Sequence, residues 1–342
     1  MRVPVALFLA LVLSLVLGPL TIFSLRWLHA MDQPGPRSSH TMPTLRGGAL
    51  APALAAIAAV LYAEELTGNA LVAVLVGSVS FAVIGMVEDL RGIPALARLA
   101  IQLVAAIAVL PWLLAGLSGP IVWQLIFGTG VVLWLVSYVN AFNFMDGING
   151  ISVAQVAVAG GAWWAIGHWQ GAEGLAGGAV VITLAVLGFL PFNFPRARMF
   201  LGDVGSYFLG AWLAVLAVVG LRAGIALEAM FAPLALYLAD TGATLVRRAR
   251  RRDTWYEPHR DHAYQRLHHQ RGWSHARTTA VVALFMMACS ALGALSATSS
   301  LAARVAADVV LVGVLAGYLA LPRVLAMARR LVGAHPQRSA TA

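Results

Sequence analysis

Four polar residues recur at every third position in an otherwise apolar stretch: Asn140, Asn143, Asp146 and Asn149, within NAFNFMDGING. On an α-helix that spacing drifts by about 60° a step, so the four do not share one face. A 3₁₀ turn or a glycine-broken helix end aligns them better, and Gly147 and Gly150 permit either. Amide and carboxylate oxygens gathered at a helix end suit a hard cation or the edge of a base. A capped, solvated turn is the plainer reading. A second candidate is FLGDVGS, where Asp203 stands between glycines at the mouth of an apolar run. Its carboxylate either caps a helix N-terminus or, beside exposed backbone N–H groups, serves a metal-bound phosphate. The adjacent acids Glu88 and Asp89, followed by Arg91 and Arg98, end another apolar run. They are either solvated or raise one another's pKa, which suits a proton acceptor.

A fourth candidate is the polar segment from Arg247 to His269. Its first five arginines (Arg247, Arg248, Arg250, Arg251 and Arg252) read as a lipid-surface anchor. The run His259-Arg260-Asp261-His262 is different, because imidazoles and guanidinium forks suit a pyrophosphate. Zinc is the competing reading, against which stand irregular histidine spacing and no usable cysteine. Asp240, about seven residues before the arginines, sits near the end of an apolar run, where a carboxylate is functional or paired. Pairing with Arg247 or Arg248 stands level with a functional role for it.

These residues need helices to hold them, and composition says in what solvent. Hydrophobic residues make up 60% of the 342 and charged residues 11%, against roughly 45–50% and 25% in soluble domains. With a mean hydropathy of +0.82, the chain must use lipid as its solvent. Soluble enzymes, secreted disulfide scaffolds and disordered tails are excluded, and Cys289 is the single cysteine. A transmembrane helix needs about 20 apolar residues. Eleven segments qualify as candidates: 3–25, 47–63, 70–87, 99–116, 120–139, 151–168, 175–192, 204–221, 225–245, 278–297 and 305–321. The first is too long for a cleaved signal peptide and lacks a small-residue cleavage site, so it reads as a span. The expected fold is an all-α polytopic membrane protein with the N-terminus outside and the C-terminus cytoplasmic. On that topology twenty of the 23 arginines fall inside, and none of the positive residues is Lys. A pI of 10.7 then reports topology rather than nucleic-acid binding. No repeat or low-complexity linker divides the chain, so residues 1–342 read as one domain. Its cytoplasmic loops would be 26–46, 88–98, 140–150, 193–203 and 246–277, and all four candidate clusters fall on them.

Acids, amides, glycine turns and a His/Arg loop on one membrane face describe a site for a magnesium diphosphate, with a lipid as one substrate. The segments DQPGPRSSH with PTLRGG, then NFMDGING, FLGDVGS and PHRDHAYQRL, resemble the polyprenyl-phosphate N-acetylhexosamine-1-phosphate transferases of glycosyltransferase family 4 over nearly the whole chain. That superfamily includes the phospho-MurNAc-pentapeptide translocase and the enzymes that initiate O-antigen and enterobacterial common antigen, and the O-antigen branch is the most similar. The resemblance implies an enzyme of the bacterial inner membrane with its active site facing the cytoplasm. It would transfer a sugar 1-phosphate from a UDP-sugar to undecaprenyl phosphate, releasing UMP and needing Mg²⁺. It further implies Asp203 and Asn143 as metal ligands, with Asp146 ordering the metal and nucleotide. Asn149 would meet uracil, while Arg98, His259, Arg260 and His262 would bind substrate. A homodimer is compatible with it, and which UDP-sugar is used stays open. Two departures stand out. Glu88 precedes Asp89 where the family has Asp-Asp, and Asn149 stands where it has a second Asp. Glu88 or Asp89 is expected to act as base for the lipid phosphate, with Glu88 favoured. Direct in-line attack is favoured over a covalent aspartyl intermediate. A secondary transporter or lipid flippase is the rival reading, which predicts ionisable groups at the bilayer midplane and paired broken helices.

Overall fold

The computed structural model describes residues 2–33, 42–252, 260–297 and 300–333. His259 and residues 34–41, which include most of the first family-like segment, lie outside the described residues. All eleven apolar segments are helical. They form α1 (Arg2–Trp27), α2 (Leu50–Ala63), α3 (Gly68–Arg91), α4 (Ala95–Leu114), α5 (Ile121–Met145), α6 (Ile151–Trp169), α7 (Glu173–Asn193) and α8 (Gly202–Arg222). Then come α9 (Leu227–Phe231), a 3₁₀ turn over Ala232–Leu234, α10 (Ala235–Arg251), α12 (His275–Ser296) and α13 (Leu301–Gly333). A short helix, α11 (Ala263–Arg271), lies between α10 and α12. The protein is an all-α, multi-pass membrane protein.

Among the described residues, nine helical runs are long and apolar enough to cross a membrane. Two of the eleven expected spans fall short of that standard. At 14 residues, α2 extends only about 21 Å against a hydrocarbon core of about 30 Å. Helix α6 reaches 19 residues, but Gln155 and His168 dilute its apolar character.

Helix α8 stands at the centre of the bundle, buried almost continuously from Val204 to Val218. A helix that is apolar on every side belongs in a core, and here small residues let its neighbours approach. A Cβ on Gly85 of α3 would overlap the Asp203 backbone, and one on Gly210 would press on Phe142 of α5. The mouth of α8 is thereby locked against α3 and α5.

At that mouth lies a small sheet that the helical patterning did not anticipate. Strand β1 (Met31–Asp32) pairs antiparallel with β2 (Thr44–Arg46), and β2 pairs parallel with β3 (Met199–Phe200). In that register Arg46 lies opposite Phe200, three residues before Asp203. Strands this short carry no periodicity, so the sequence gives little sign of them.

Candidate active site

A cavity of about 240 Å³ opens at this end of the bundle, with Asp32, Arg46, Asn143, Asp146, Asn149, Asn193, Asp203, Gln265 and His275 among its lining residues. Residues from the expected loops 26–46, 140–150, 193–203 and 246–277 thus meet in one place, and the fifth loop supports them from behind.

Asp203 occupies the first turn of α8 but does not cap that helix. Asp89, reaching across from α3, does so: its Oδ1 accepts from the Asp203 N–H at 3.0 Å and its Oδ2 from the Val204 N–H at 3.0 Å. The Asp203 side chain is thereby left for other partners. Its Oδ1 accepts from Asn143 Nδ2 at 3.0 Å and lies 3.0 Å from Arg46 Nη2. Asn143 Nδ2 also donates to the Ser206 hydroxyl at 2.9 Å. Arg46 Nε stands 2.6 Å from Asp89 Oδ1, so one guanidinium bridges both carboxylates. Burial works against its charge, but Asp203, Asp89 and Asp32 more than offset that and hold Arg46 protonated.

The three-residue spacing ends as the drift argument requires. Asn140, inside α5, turns away and donates to Gln102 Oε1 at 2.6 Å. Asn143, Asp146 and Asn149 face the cavity because α5 stops at Met145 and the chain turns over. Gly150 adopts φ +80°, a conformation that suits glycine. Gly147 is needed for space, because a Cβ there would overlap the Tyr264 hydroxyl. Asn193 fastens the turn, accepting from the Gly150 N–H at 2.8 Å and donating to the Met199 carbonyl at 3.2 Å. Asn149 donates its side-chain amide to the Pro195 carbonyl at 3.0 Å and its backbone N–H to His275 Nδ1 at 3.3 Å. Ser152 donates to Asp146 Oδ1 at 2.6 Å. Burial pushes the Asp146 carboxyl up to about 7. Ser152 and Arg46 pull against that shift, while Asp203 and Asp89 add to it.

Other expected site residues stand elsewhere. Glu88 does not line the cavity. Its Oε2 accepts from the Ile93 N–H at 2.7 Å and its Oε1 from Arg98 Nη1 at 2.7 Å, which staples the turn between α3 and α4. Asp89 is likewise occupied, by two backbone N–H groups and Arg46. Burial and the neighbouring Asp203 nonetheless raise the Asp89 carboxyl above its ordinary value, against the pull of Arg46 and the two N–H groups. Each carboxylate is a hydrogen-bonded strut. His262 is buried beside Asp240, its Nδ1 3.4 Å from Oδ1, rather than at the cavity wall. Arg260 is not a lining residue but stands near His269, whose pKa burial first and then the Arg260 charge push down to about 4. Asp240 is paired, one of the two readings left open for it, though with donors from α10, α11 and α13 rather than with Arg247 or Arg248. The sequence reading had no role for five lining residues: Asp32, Arg46, Asn193, Gln265 and His275. Asp32, Arg46 and Gln265 at least fell inside the family-like segments, whereas Asn193 and His275 carried no local signal.

The residues at hand fit a hard divalent cation. Asp89, Asp146 and Asp203 are within electrostatic reach of one another, with Arg46 as their shared cation. Among the described residues no three His, Cys, Asp or Glu side chains are grouped to hold a metal alone. Mg²⁺ takes one or two carboxylates and fills its octahedron with water and phosphate oxygens, a demand that the Asp203 and Asp146 carboxylates have the chemistry to meet.

Sequence comparison shows which family the chain resembles. The profile of glycosyl transferase family 4 matches residues 71–221. A probable undecaprenyl-phosphate N-acetylglucosaminyl 1-phosphate transferase of Bacillus subtilis is 30% identical over 319 residues, covering 87% of this chain and 86% of the relative. A decaprenyl-phosphate N-acetylglucosaminephosphotransferase of Mycobacterium tuberculosis is 29% identical over 324 residues, covering 82% and 79%. A phospho-N-acetylmuramoyl-pentapeptide-transferase of Lacticaseibacillus paracasei is 39% identical over a shorter 88 residues, 26% and 27% of the two chains. The family match, the relatives and the membrane-spanning helices together define a membrane-embedded phospho-sugar transferase. The chain belongs to the polyprenyl-phosphate N-acetylhexosamine-1-phosphate transferase superfamily, within glycosyl transferase family 4.

Proposed function

We propose that the protein transfers an N-acetylhexosamine 1-phosphate from a UDP-sugar to undecaprenyl phosphate in the bacterial inner membrane. The products are UMP and a lipid diphosphate sugar, which begins O-antigen or another surface glycan. The observation that carries this reading is the cavity itself: Asp203, Asp146 and Asn143 face Arg46 at the mouth of the central helix, beside the Asn149 turn. If all eleven segments cross, as the meeting of loops 26–46, 140–150, 193–203 and 246–277 at one cavity supports, twenty of 23 arginines lie on that side, and the positive-inside bias supports a cytoplasmic position for that mouth. All 342 residues then act as one transferase domain.

Bound Mg²⁺ would be held by Asp203 and Asn143, with Asp146 nearby, and would neutralise charge on the diphosphate. Arg46 supplies a fixed positive charge in the same cavity and keeps Asp89 and Asp203 in register. Asn149 keeps its side-chain oxygen for the N3–H of uracil, because its Nδ2 is committed to Pro195. Gln265 and His275 line the wall where the sugar or the diphosphate would rest. Glu88 orients Arg98 for the lipid phosphate instead of taking a proton from it. No base is needed at neutral pH, since a phosphate monoester with a second pKa near 6 is already largely dianionic. Phosphoryl transfer asks for positioning and charge neutralisation, and direct in-line attack on the sugar-linked phosphorus meets that demand.

The test is to incubate purified protein with undecaprenyl phosphate, Mg²⁺ and a panel of UDP-N-acetylhexosamines while following UMP. Release that needs both the lipid phosphate and one of the sugars is expected. No release with any member of the panel would refute the reading.

A further inference from the structure

Asp240 on α10 is fully buried yet lines no part of the cavity. The Ala263 N–H donates to both of its oxygens, at 2.9 and 3.0 Å. The Tyr318 hydroxyl donates to Oδ2 at 2.7 Å and the Thr244 hydroxyl to Oδ1 at 3.3 Å. A carboxylate withdrawn this far from water is costly unless hydrogen-bonded all round. A membrane bundle that keeps one does so for the groups it grips.

Those groups lead to the site. Ala263 opens α11, and the next residue, Tyr264, donates its hydroxyl to the Phe144 carbonyl at 3.0 Å. That hydroxyl also fills the space beneath Gly147. One residue further, Gln265 lines the cavity. On the other side, Tyr318 belongs to α13, whose Val309, Val312 and Val324 are exposed, whereas Tyr318 is fully buried. A single carboxylate thus joins a helix at the edge of the bundle to the turn that carries Asp146 and Asn149.

We propose that Asp240 and Tyr318 are positioning residues that set the Asp146–Asn149 turn through Ala263 and Tyr264, making α13 part of the catalytic apparatus. The inference rests on the transfer reaction above for its kinetic readout, but not for its structural one. Tyr318→Phe deletes one hydroxyl and leaves the ring in place. It should raise KM for the UDP-sugar about fivefold, the scale of one lost hydrogen bond, and change kcat less than about twofold. Tyr264→Phe should act on the same quantity, and the double variant should lose no more than the worse single one. Arg304→Gln provides the control. It breaks a two-pronged pair with Glu228, at 2.6 and 2.8 Å, near the start of α13. That change should lower Tm without moving KM.

Hydrogen–deuterium exchange on the full chain in nanodiscs reads the same claim without any substrate. Faster exchange over residues 143–152 is expected in Tyr318→Phe and in Asp240→Asn, but not in Arg304→Gln. Unchanged exchange there in Tyr318→Phe would overturn the proposal, as would an equal response in Arg304→Gln. If wild type released no UMP but the exchange pattern held, the reaction reading alone would fall. Additive effects of Tyr318→Phe and Tyr264→Phe on KM would overturn the route through Tyr264.

Discussion

Asp146 illustrates how a single carboxyl answers to both folding and chemistry. Burial pushes it up to about 7, so in metal-free protein the folded state binds a proton that the unfolded state releases near pH 4. Stability from this group is therefore present below about pH 4 and is lost as pH rises to about 7. Asp146→Asn should raise the Tm of metal-free protein at pH 8, with little effect at pH 4. It should also abolish turnover and shrink the rise in Tm that Mg²⁺ gives wild type. Thermal melts at the two pH values, with and without Mg²⁺, check all three. Equal melts for both proteins at pH 8 would remove Asp146 from the buried electrostatic cluster. Glu88 calls for a different profile. Both of its oxygens are engaged by Ile93 and Arg98, so Glu88→Gln should lower kcat by a similar factor at every pH. A loss confined to pH values below about 6, where the lipid phosphate is still monoprotonated, would restore Glu88 as a base.

At the scale of elements, the turn after α5 works because a tyrosine from α11 fits where a glycine leaves room. Gly147→Ala should cut kcat/KM at least tenfold by pushing Tyr264 off the Phe144 carbonyl. Tyr264→Phe on that background should recover part of the loss, since the overlapping atom is the hydroxyl. Absence of any recovery in the double variant would argue against this fit. The helices themselves were legible in the sequence, because a run of apolar residues is a direct statement about solvent. Pieces of the candidate site were legible too: the three-residue repeat marked Asn143, Asp146 and Asn149, and its drift explains why Asn140 leaves for Gln102. The partners of Glu88 and Asp89 were not. Adjacent residues at a helix end point in different directions, and which one meets α4 and which meets α8 is decided by tertiary packing. The same holds for Arg46, whose place beside Asp203 depends on a strand pair of two residues. His262 suits a pyrophosphate by composition, whereas its burial beside Asp240 of α10 and near the Phe144 ring of α5 is decided by tertiary packing.

At the scale of the whole molecule, the arrangement is a lipid-solvated bundle around one nearly dry helix, with its polar groups collected at one mouth. Far from that mouth, Arg222 donates to the Leu113 carbonyl, and Arg304 grips Glu228. The proposed orientation puts that second end outside the cell. A cysteine placed at Arg251, in a Cys289→Ala background, should stay unlabelled by an impermeant thiol reagent until the membrane is opened. Labelling in intact cells would invert the topology.

In the proposed reaction, phosphate travels with the sugar to the lipid. A UDP-N-acetylhexosamine carrying radiolabel in its β-phosphorus, given to purified protein with undecaprenyl phosphate and Mg²⁺, tests it directly. The label should move into the organic phase with the lipid while unlabelled UMP accumulates, and Asp203→Asn should stop both. Label retained in the aqueous phase as UDP, with only the sugar moving to the lipid, would contradict the account.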